Sequence, residues 1–144
     1  MDERIHQAIL EHLEDGKLPC NHAFAIAQSL DVDPLRVGLT ANEAGIRISR
    51  CQLGLFGYGP KAEGKHKIVH AMDRVPERLA ARLRTEAESG PRDRDGEKGI
   101  TCTAIWRVAD GLGYRRIEAS SAVEAMGIKV SRCQLGCFPR PWEG

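Results

Sequence analysis

The sequence contains no long apolar run. Hydrophobic residues make up 42% of the 144 positions, yet no stretch approaches the roughly 20 consecutive apolar residues that a transmembrane helix requires. The first residues, Met1 to Arg4, lead into an amphipathic stretch rather than into the apolar centre of a signal peptide. We therefore predict a cytoplasmic protein with no membrane partner.

Motifs for common enzyme chemistry are also missing. The chain has no HExxH motif and no nucleophile elbow, and residues 57–61 (Gly-Tyr-Gly-Pro-Lys) lack the remainder of a phosphate-binding loop. The five histidines belong to no recognisable paired motif. These absences predict a protein that is not an enzyme and carries no cofactor.

Cysteine occurs five times, but never with the CxxC spacing that is typical of zinc modules. A structural zinc site needs four converging ligands, and Cys51, Cys133 and Cys137 would converge only if the two lobes met around their strands. We predict no bound metal and interpret the cysteines as buried thiols that behave as small hydrophobic residues. A cysteine-based metal or redox sensor is the alternative, because Cys20 and Cys102 each open a predicted helix.

No strong excess of one charge sign is present, since the net charge is +1. Its distribution is uneven. Residues 1–58 carry eight acidic and five basic side chains, a net charge of −3, whereas residues 59–98 and 99–144 each carry +2. A polyanion would therefore meet the second half of the chain more favourably than the first.

What the sequence does contain is an internal repeat. The hexapeptide Ser-Arg-Cys-Gln-Leu-Gly at 49–54 recurs at 131–136, and the same offset of 82 positions aligns Cys20 with Cys102. A self-match of this length indicates a duplicated unit. We predict two small lobes, in which each core alone is marginal: residues 1–58, a linker at 59–73, and residues 74–144 with a mobile loop at 90–98.

The first copy predicts three helices and a strand. One helix runs from Glu3 to about Glu14, and a second follows Pro19. Asp33 is the expected N-cap of a third helix with Pro34 at its first position. This helix ends at Gly45, and the alternating residues 46–49 predict a short strand.

The second copy repeats this plan. A helix begins at Pro76-Glu77, Thr101 caps the next, residues 111–114 form a turn, and a last helix spans about Arg115 to Met126 before a strand at 128–130. We predict a mainly α fold of two pseudo-two-fold related lobes, each with three helices plus a short β-strand. Pairing of the two strands with each other is left open.

Residues 26–37 and 108–117 resemble the helix-turn-helix of bacterial regulators. Ala27 and Ala109 are small where the second helix would cross, and Gly113 supplies the unusual backbone angles of the turn, with Asp31 at the same place in copy one. A strand after the second helix makes the unit resemble the winged variant. The resemblance implies that the second helix enters the major groove of double-stranded DNA while basic neighbours hold phosphates.

On this resemblance, the candidate nucleic-acid contacts are the outward positions of the second helix and the following strand: Arg115, Arg116, Ser120, Ser121 and Lys129 in copy two, and Arg36 and Arg47 in copy one. Copy one is less basic. We therefore expect copy two to bind DNA in a transcriptional regulator while copy one mediates homodimerisation. The alternative function is a protein-interaction or dimerisation scaffold.

The repeated motif itself allows two interpretations. Its polar and thiol positions are Arg50, Cys51 and Gln52 in copy one and Arg132, Cys133 and Gln134 in copy two. In the structural interpretation, cysteine and leucine are core residues, glycine makes a turn and glutamine satisfies the backbone. In the functional one, the arginine and glutamine pairs contact a ligand or nucleic acid. We favour the structural interpretation, because a duplicated fold retains its core and turn chemistry first.

Overall fold

A computed structural model describes residues 1–59, 61–91 and 99–137. Within these residues the chain forms six α-helices and four short strands, so the predicted mainly α class is confirmed. Two compact units are present: unit 1 comprises Met1–Ile68 and Gln134–Cys137, and the described part of unit 2 is Val69–Cys133. Residues 92–98, most of the predicted loop at 90–98, lie outside the described residues.

Unit 1 contains three helices, two strands and one short 3-10 helix. In chain order these are α1 (Glu3–Leu10), β1 (Leu18–Pro19), α2 (Cys20–Leu30), α3 (Pro34–Glu43), β2 (Ile48–Ser49) and the 3-10 helix Lys61–Glu63.

The start and end of α1 have local causes. The Asp2 carboxylate accepts hydrogen bonds from the backbone N–H groups of Arg4, at 2.9 Å, and Ile5, at 3.2 Å, which caps the helix. The predicted continuation to Glu14 is wrong. The Glu14 N–H donates instead to the Lys17 carbonyl at 2.8 Å, across a turn in which Asp15 and Gly16 have positive φ.

Unit 2 repeats the element order helix, strand, helix, helix, strand. Its elements are α4 (Glu77–Glu88), β3 (Gly99–Thr101), α5 (Cys102–Leu112), α6 (Arg116–Met126) and β4 (Lys129–Arg132). The Thr101 hydroxyl accepts a hydrogen bond from the Ala104 N–H at 3.2 Å, which confirms the predicted cap of α5. The predicted helix ending at Met126 is also confirmed, because Gly127 terminates it with a φ of 68°.

The strands form two small parallel sheets, one inside each unit. In unit 1, β1 pairs with β2, with Leu18 opposite Ile48 and Pro19 opposite Ser49. In unit 2, β3 pairs with β4, with Ile100 opposite Val130, followed by a register shift. The strands β1 and β3 were not predicted from the sequence. Among the described residues, each predicted strand therefore pairs within its own unit and not with its counterpart.

Each unit buries its own apolar side chains. In unit 1, Ile5, Ile9, Leu18 and Val37 have no exposed surface, and in unit 2 the same holds for Leu79, Leu83, Ile100 and Ile105. Ala27 and Ala109, predicted to be small because a second helix crosses there, are 3% and 0% exposed. None of the helices in the described ranges has both the length and the apolar character needed to cross a bilayer.

Candidate nucleic-acid interface

The turn between α5 and α6 is the segment of unit 2 for which the sequence predicts a helix-turn-helix. Gly113 ends α5 in the left-handed conformation with a φ of 82°, and the Tyr114 N–H donates to the Ala109 carbonyl at 2.9 Å. Nothing lies within 4 Å of where a Cβ on Gly113 would stand. The glycine is therefore required by backbone angle and not by lack of space.

Unit 1 makes the corresponding turn without glycine. Asp31 adopts a φ of 54°, and the Val32 N–H donates to the Ala27 carbonyl at 3.0 Å. Aspartate tolerates this conformation better than most residues. The Asp33 carboxylate then accepts from the Leu35 N–H at 2.9 Å and caps α3, with Pro34 at its first position, as predicted.

The side chain of Arg115 is 79% exposed. This residue stands at the N-cap of α6, where its backbone N–H donates to Glu118 Oε1 at 2.8 Å and its Nε does so at 3.3 Å. The backbone hydrogen bond, assisted by the side-chain hydrogen bond and the positive charge of Arg115, lowers the pKa of Glu118 below its usual value of 4.5. The rest of the guanidinium of Arg115 faces solvent.

Arg116 is held by its own unit. Its Nη2 lies 3.0 Å from Asp110 Oδ2 and its Nε lies 3.4 Å from Asp110 Oδ1, while its guanidinium carbon stands 4.3 Å above the ring centre of Trp106. These contacts link the start of α6 to α5 and leave 33% of the side chain exposed. Arg116 therefore stabilises the junction of α5 and α6, and its charge is already matched by a carboxylate.

Two serines on α6 differ from their predicted placement. Ser120 is 1% exposed, so the prediction that it faces outward is wrong. It shares the inner side of α6 with Ala119, Ala122 and Val123. Its Oγ has no hydrogen-bond partner among the described residues. Ser121 is half-buried, and its carbonyl accepts a hydrogen bond from the Met72 N–H at 3.1 Å.

The candidate residues on and beside the strands are exposed. Lys129 begins β4 and Arg132 ends it, and both lie at the surface of unit 2. In unit 1, Arg47 is exposed just before β2, where its carbonyl accepts from the Leu18 N–H at 2.9 Å. The strand β4 therefore places two cations on the segment that follows α6.

The outer face of α3 is less available than that of α6. The Arg36 guanidinium lies 2.9 Å from the Asp2 carboxylate. Hydrogen bonds from the Ile5 and Arg4 backbone, together with Arg36, lower the pKa of Asp2 below 3.8, although partial desolvation opposes them. Two residues further along the chain, Gly38 packs so closely on Leu135 that a Cβ would overlap the Leu135 carbonyl oxygen. Unit 1 thus covers part of α3.

The repeated motif forms a tight turn in copy one. The N–H groups of Arg50 and Cys51 donate to the carbonyls of Gly57, at 3.1 Å, and Phe56, at 3.2 Å, and the Tyr58 hydroxyl donates to the Cys51 carbonyl at 2.6 Å. Arg50 is exposed and Gln52 is half-buried. Leu53 is fully buried, as the structural interpretation predicts for the motif's leucine.

In copy two the motif is divided between the units. Cys133 ends the described part of unit 2, while Gln134 begins the four residues that belong to unit 1. Cys133 is 7% and Leu135 is 1% exposed, so the cysteine and leucine are core residues in both copies. The motif's glycines, Gly54 and Gly136, have φ values of 72° and 82° and make turns.

Some relevant residues escaped the sequence analysis. Asp110 and Trp106 were not identified as partners of Arg116, although a carboxylate and an aromatic ring on α5 are a recognisable signal. Arg78 and Arg82 are exposed four residues apart on α4 and add to the positive charge of unit 2. Among the described residues, no group of three or more His, Cys, Asp or Glu side chains is placed to hold a metal ion.

Comparison of the chain with protein-family models, curated proteins and solved structures gave no match. The candidate interface is therefore defined by the residues of this chain alone.

Proposed function

We propose that this chain is a DNA-binding transcriptional regulator that contacts double-stranded DNA through the helix-turn-helix of unit 2. In this proposal α6 enters the major groove, Arg115 at its N-terminus contacts the DNA, and Lys129 and Arg132 on β4 hold phosphates in the manner of a wing. The cytoplasmic location predicted from the sequence is part of the same proposal.

The observation that carries the proposal is the arrangement around Gly113. A left-handed residue joins two packed helices, and the second helix starts at an exposed arginine. The element order helix, strand, helix, helix, strand recurs in both units. We infer that the units arose by duplication and form a pseudo-two-fold pair, an arrangement that would suit two adjacent half-sites on DNA.

The charge of unit 2 supports the same assignment. Its described residues, 69–91 and 99–133, contain nine arginines and lysines against seven acidic side chains. Arg115, Lys129 and Arg132 are all exposed on the last helix and strand. Exposed cations of this kind supply the salt-dependent part of DNA affinity.

Unit 1 fits a homodimerisation role better than a DNA-reading role. Its described residues, 1–59, 61–68 and 134–137, carry nine acidic and eight basic side chains, a net charge of −1, and Arg36 on α3 is paired with Asp2. This unit therefore attracts a phosphate backbone less than unit 2 does. We propose that it forms the contact between two copies of the chain, which sedimentation velocity over a range of concentrations would test.

One observation favours a second candidate function, a protein-interaction scaffold. Arg115 and Arg116 both have carboxylate partners in their own unit, Glu118 and Asp110. A helix whose cations are internally matched gains less from phosphate contacts than a helix with unmatched cations. A chain that dimerises but does not bind DNA would support the scaffold.

The test is a titration of fluorescently labelled duplex DNA at several salt concentrations. Arg115→Ala and Lys129→Ala should each weaken binding several-fold and lower the magnitude of the salt slope by about one, because each removes one phosphate contact. Arg78→Ala is the matched control, since it removes the same charge from α4 of the same unit. Arg116 is not varied, because its loss would also remove contacts with Asp110 and Trp106.

An affinity that does not change with salt, or no binding at low salt, would contradict the proposal. Equal losses in Arg78→Ala and Arg115→Ala would indicate general attraction by the charge of unit 2, without a role for the helix-turn-helix. Circular dichroism of each variant checks that the helices are retained.

A further inference from the structure

Each unit buries two cysteines at the junction where a strand of the small sheet passes into the next segment. Cys20 is the first residue of α2, directly after β1, and Cys51 lies two residues after β2 ends. Cys102 is the first residue of α5, directly after β3, and Cys133 directly follows β4. All four are between 4% and 7% exposed.

The register of the sheet in unit 2 brings its two cysteines together. Thr101 is paired with Arg132 after the register shift. Cys102 and Cys133 are therefore the residues that directly follow this pair on the two neighbouring segments. Neighbouring strands lie about 4.8 Å apart. This separation falls inside the range of roughly 4.4–6.8 Å that a disulfide requires between Cα atoms.

The two cysteines of unit 1 are brought together in a comparable way. Pro19 is paired with Ser49, and Arg50 then takes a left-handed conformation with a φ of 49°. If Arg50 is the extra residue of this sheet, as the register shift indicates for Ser131 in unit 2, then Cys20 and Cys51 are the next facing residues. Tyr58 provides a second observation, because its hydroxyl donates to the Cys51 carbonyl at 2.6 Å. Burial raises the pKa of Tyr58, negative charge on Cys51 and Cys20 raises it further, and Arg50 opposes these effects.

We propose that each unit contains a dithiol site that hydrogen peroxide converts into a disulfide and that a thiol reductant restores, Cys20–Cys51 in unit 1 and Cys102–Cys133 in unit 2. In the first step one thiol loses its proton, its sulfur attacks the peroxide and the O–O bond breaks, and the released hydroxide takes up that proton, so that a sulfenic acid and one water form. The second thiol then displaces the hydroxyl group as a second water. Two thiols are thereby oxidised, and one hydrogen peroxide is reduced to two waters.

The recurrence of the pair distinguishes it from a chance contact. Both members align at the offset of 82, whereas Cys137 aligns with Leu55 and so falls outside the duplicated pairs. A small uncharged oxidant suits thiols that are buried but lie next to exposed residues such as Arg50 and Arg132. The proposal concerns the cores of the units and holds whether or not the chain binds DNA.

The experiment maps disulfides in the full-length protein after treatment with hydrogen peroxide. The reaction is stopped with acid, the protein is denatured, remaining thiols are alkylated, and tryptic peptides are identified by mass spectrometry. Cys133 and Cys137 lie in one tryptic peptide because no lysine or arginine separates them. Cys137→Ser therefore makes the assignment unambiguous and serves as the control that keeps both pairs.

We expect linked peptides for Cys20–Cys51 and Cys102–Cys133, and their loss after dithiothreitol. Cys51→Ser should abolish the first link only, and Cys133→Ser the second only. The oxidised protein should also unfold at a temperature higher by roughly 10 °C, since each link closes a loop of about 30 residues.

Four alkylated cysteines, sulfinic or sulfonic acids at these positions, or links between the pairs would overturn the proposal. If a variant fails to fold, mapping of the unsubstituted chain still decides for Cys20–Cys51, and fragment ions that separate Cys133 from Cys137 decide for Cys102–Cys133.

Discussion

Two glycines inside helices illustrate how single residues are specified by their surroundings. Gly38 in α3 has no room for a Cβ, because the Leu135 backbone stands where it would lie, whereas nothing is within 4 Å of a Cβ on Gly111 in α5. Alanine favours a helix over glycine by about 1 kcal/mol. We therefore predict opposite effects: Gly38→Ala destabilises by about 1–3 kcal/mol through overpacking, and Gly111→Ala stabilises by up to about 1 kcal/mol.

Urea unfolding followed by circular dichroism measures both variants. Each glycine is the other's control, because the chemical change and the helical setting are the same. A stabilising Gly38→Ala would show that Leu135 does not pack on α3 as described.

Individual side chains also mark the limit of what the sequence could predict. The placement of Asp33 and Thr101 as caps was predictable, because a cap depends on residues within the same turn. The burial of Ser120 was not, since α6 is rich in alanine and serine and its apolar periodicity is weak. The pairing of Arg116 with Asp110 spans the inter-helix turn, and it needs the crossing of α5 and α6 to be known.

At the scale of elements, the N-terminus of α6 depends on the ionised form of Glu118. Its pKa is lowered in the folded state, mainly by the Arg115 N–H. The stabilisation is therefore fully present above the unfolded value near 4.5 and is lost as pH falls through the lower folded value. We predict that Glu118→Gln lowers the thermal unfolding midpoint near neutral pH, and that the difference from the unsubstituted chain shrinks as pH falls to about 3.

Arg115→Ala is the informative companion variant. It keeps the backbone N–H that bonds Glu118, so the pH dependence of the midpoint should largely remain. If Arg115→Ala removed this dependence as fully as Glu118→Gln does, the side-chain contact and not the helix cap would be its cause. The same result would also complicate the use of Arg115→Ala in DNA binding.

The elements themselves were predictable to different degrees. Helix limits set by Pro34 and Gly127 follow from local backbone preferences and were predicted. The unusual backbone angles of Gly113 were also predicted, but α5 continues through Gly111 and Leu112, which the sequence assigned to the turn. The strands β1 and β3 were missed because they are two and three residues long and each runs directly into a helix, whereas β2 lies in residues 46–49, which alternate between apolar and polar side chains. Such short strands are defined by pairing with a segment about 30 positions away, and no local pattern of side chains reveals that pairing.

At the scale of the whole molecule, the repeat of 82 positions predicted the shared order of elements. It did not predict which unit the second copy of the motif belongs to. The first motif lies wholly in unit 1, and so do Gln134–Cys137 of the second. The first copy of the motif thus lies in one unit, while the identical second copy is divided between two. The residues around each copy decide in which core its leucine is buried. Self-alignment of a sequence reports common ancestry and contains no information on which unit a segment joins.

The assignment of Gln134–Cys137 to unit 1 leads to a prediction about a shortened chain. A chain that ends at Cys133 loses Leu135, which is 1% exposed and packs on Gly38 of α3. Burial of a leucine contributes about 1.5–3 kcal/mol, so amide exchange in α3 should accelerate by roughly 10- to 100-fold. Exchange in α5 should change far less, since that helix belongs to unit 2.

A chain that ends at Cys137 is the matched reference, and hydrogen–deuterium exchange with peptide resolution is the measurement. Equal acceleration in α3 and α5 would contradict the assignment of Gln134–Cys137 to unit 1 alone.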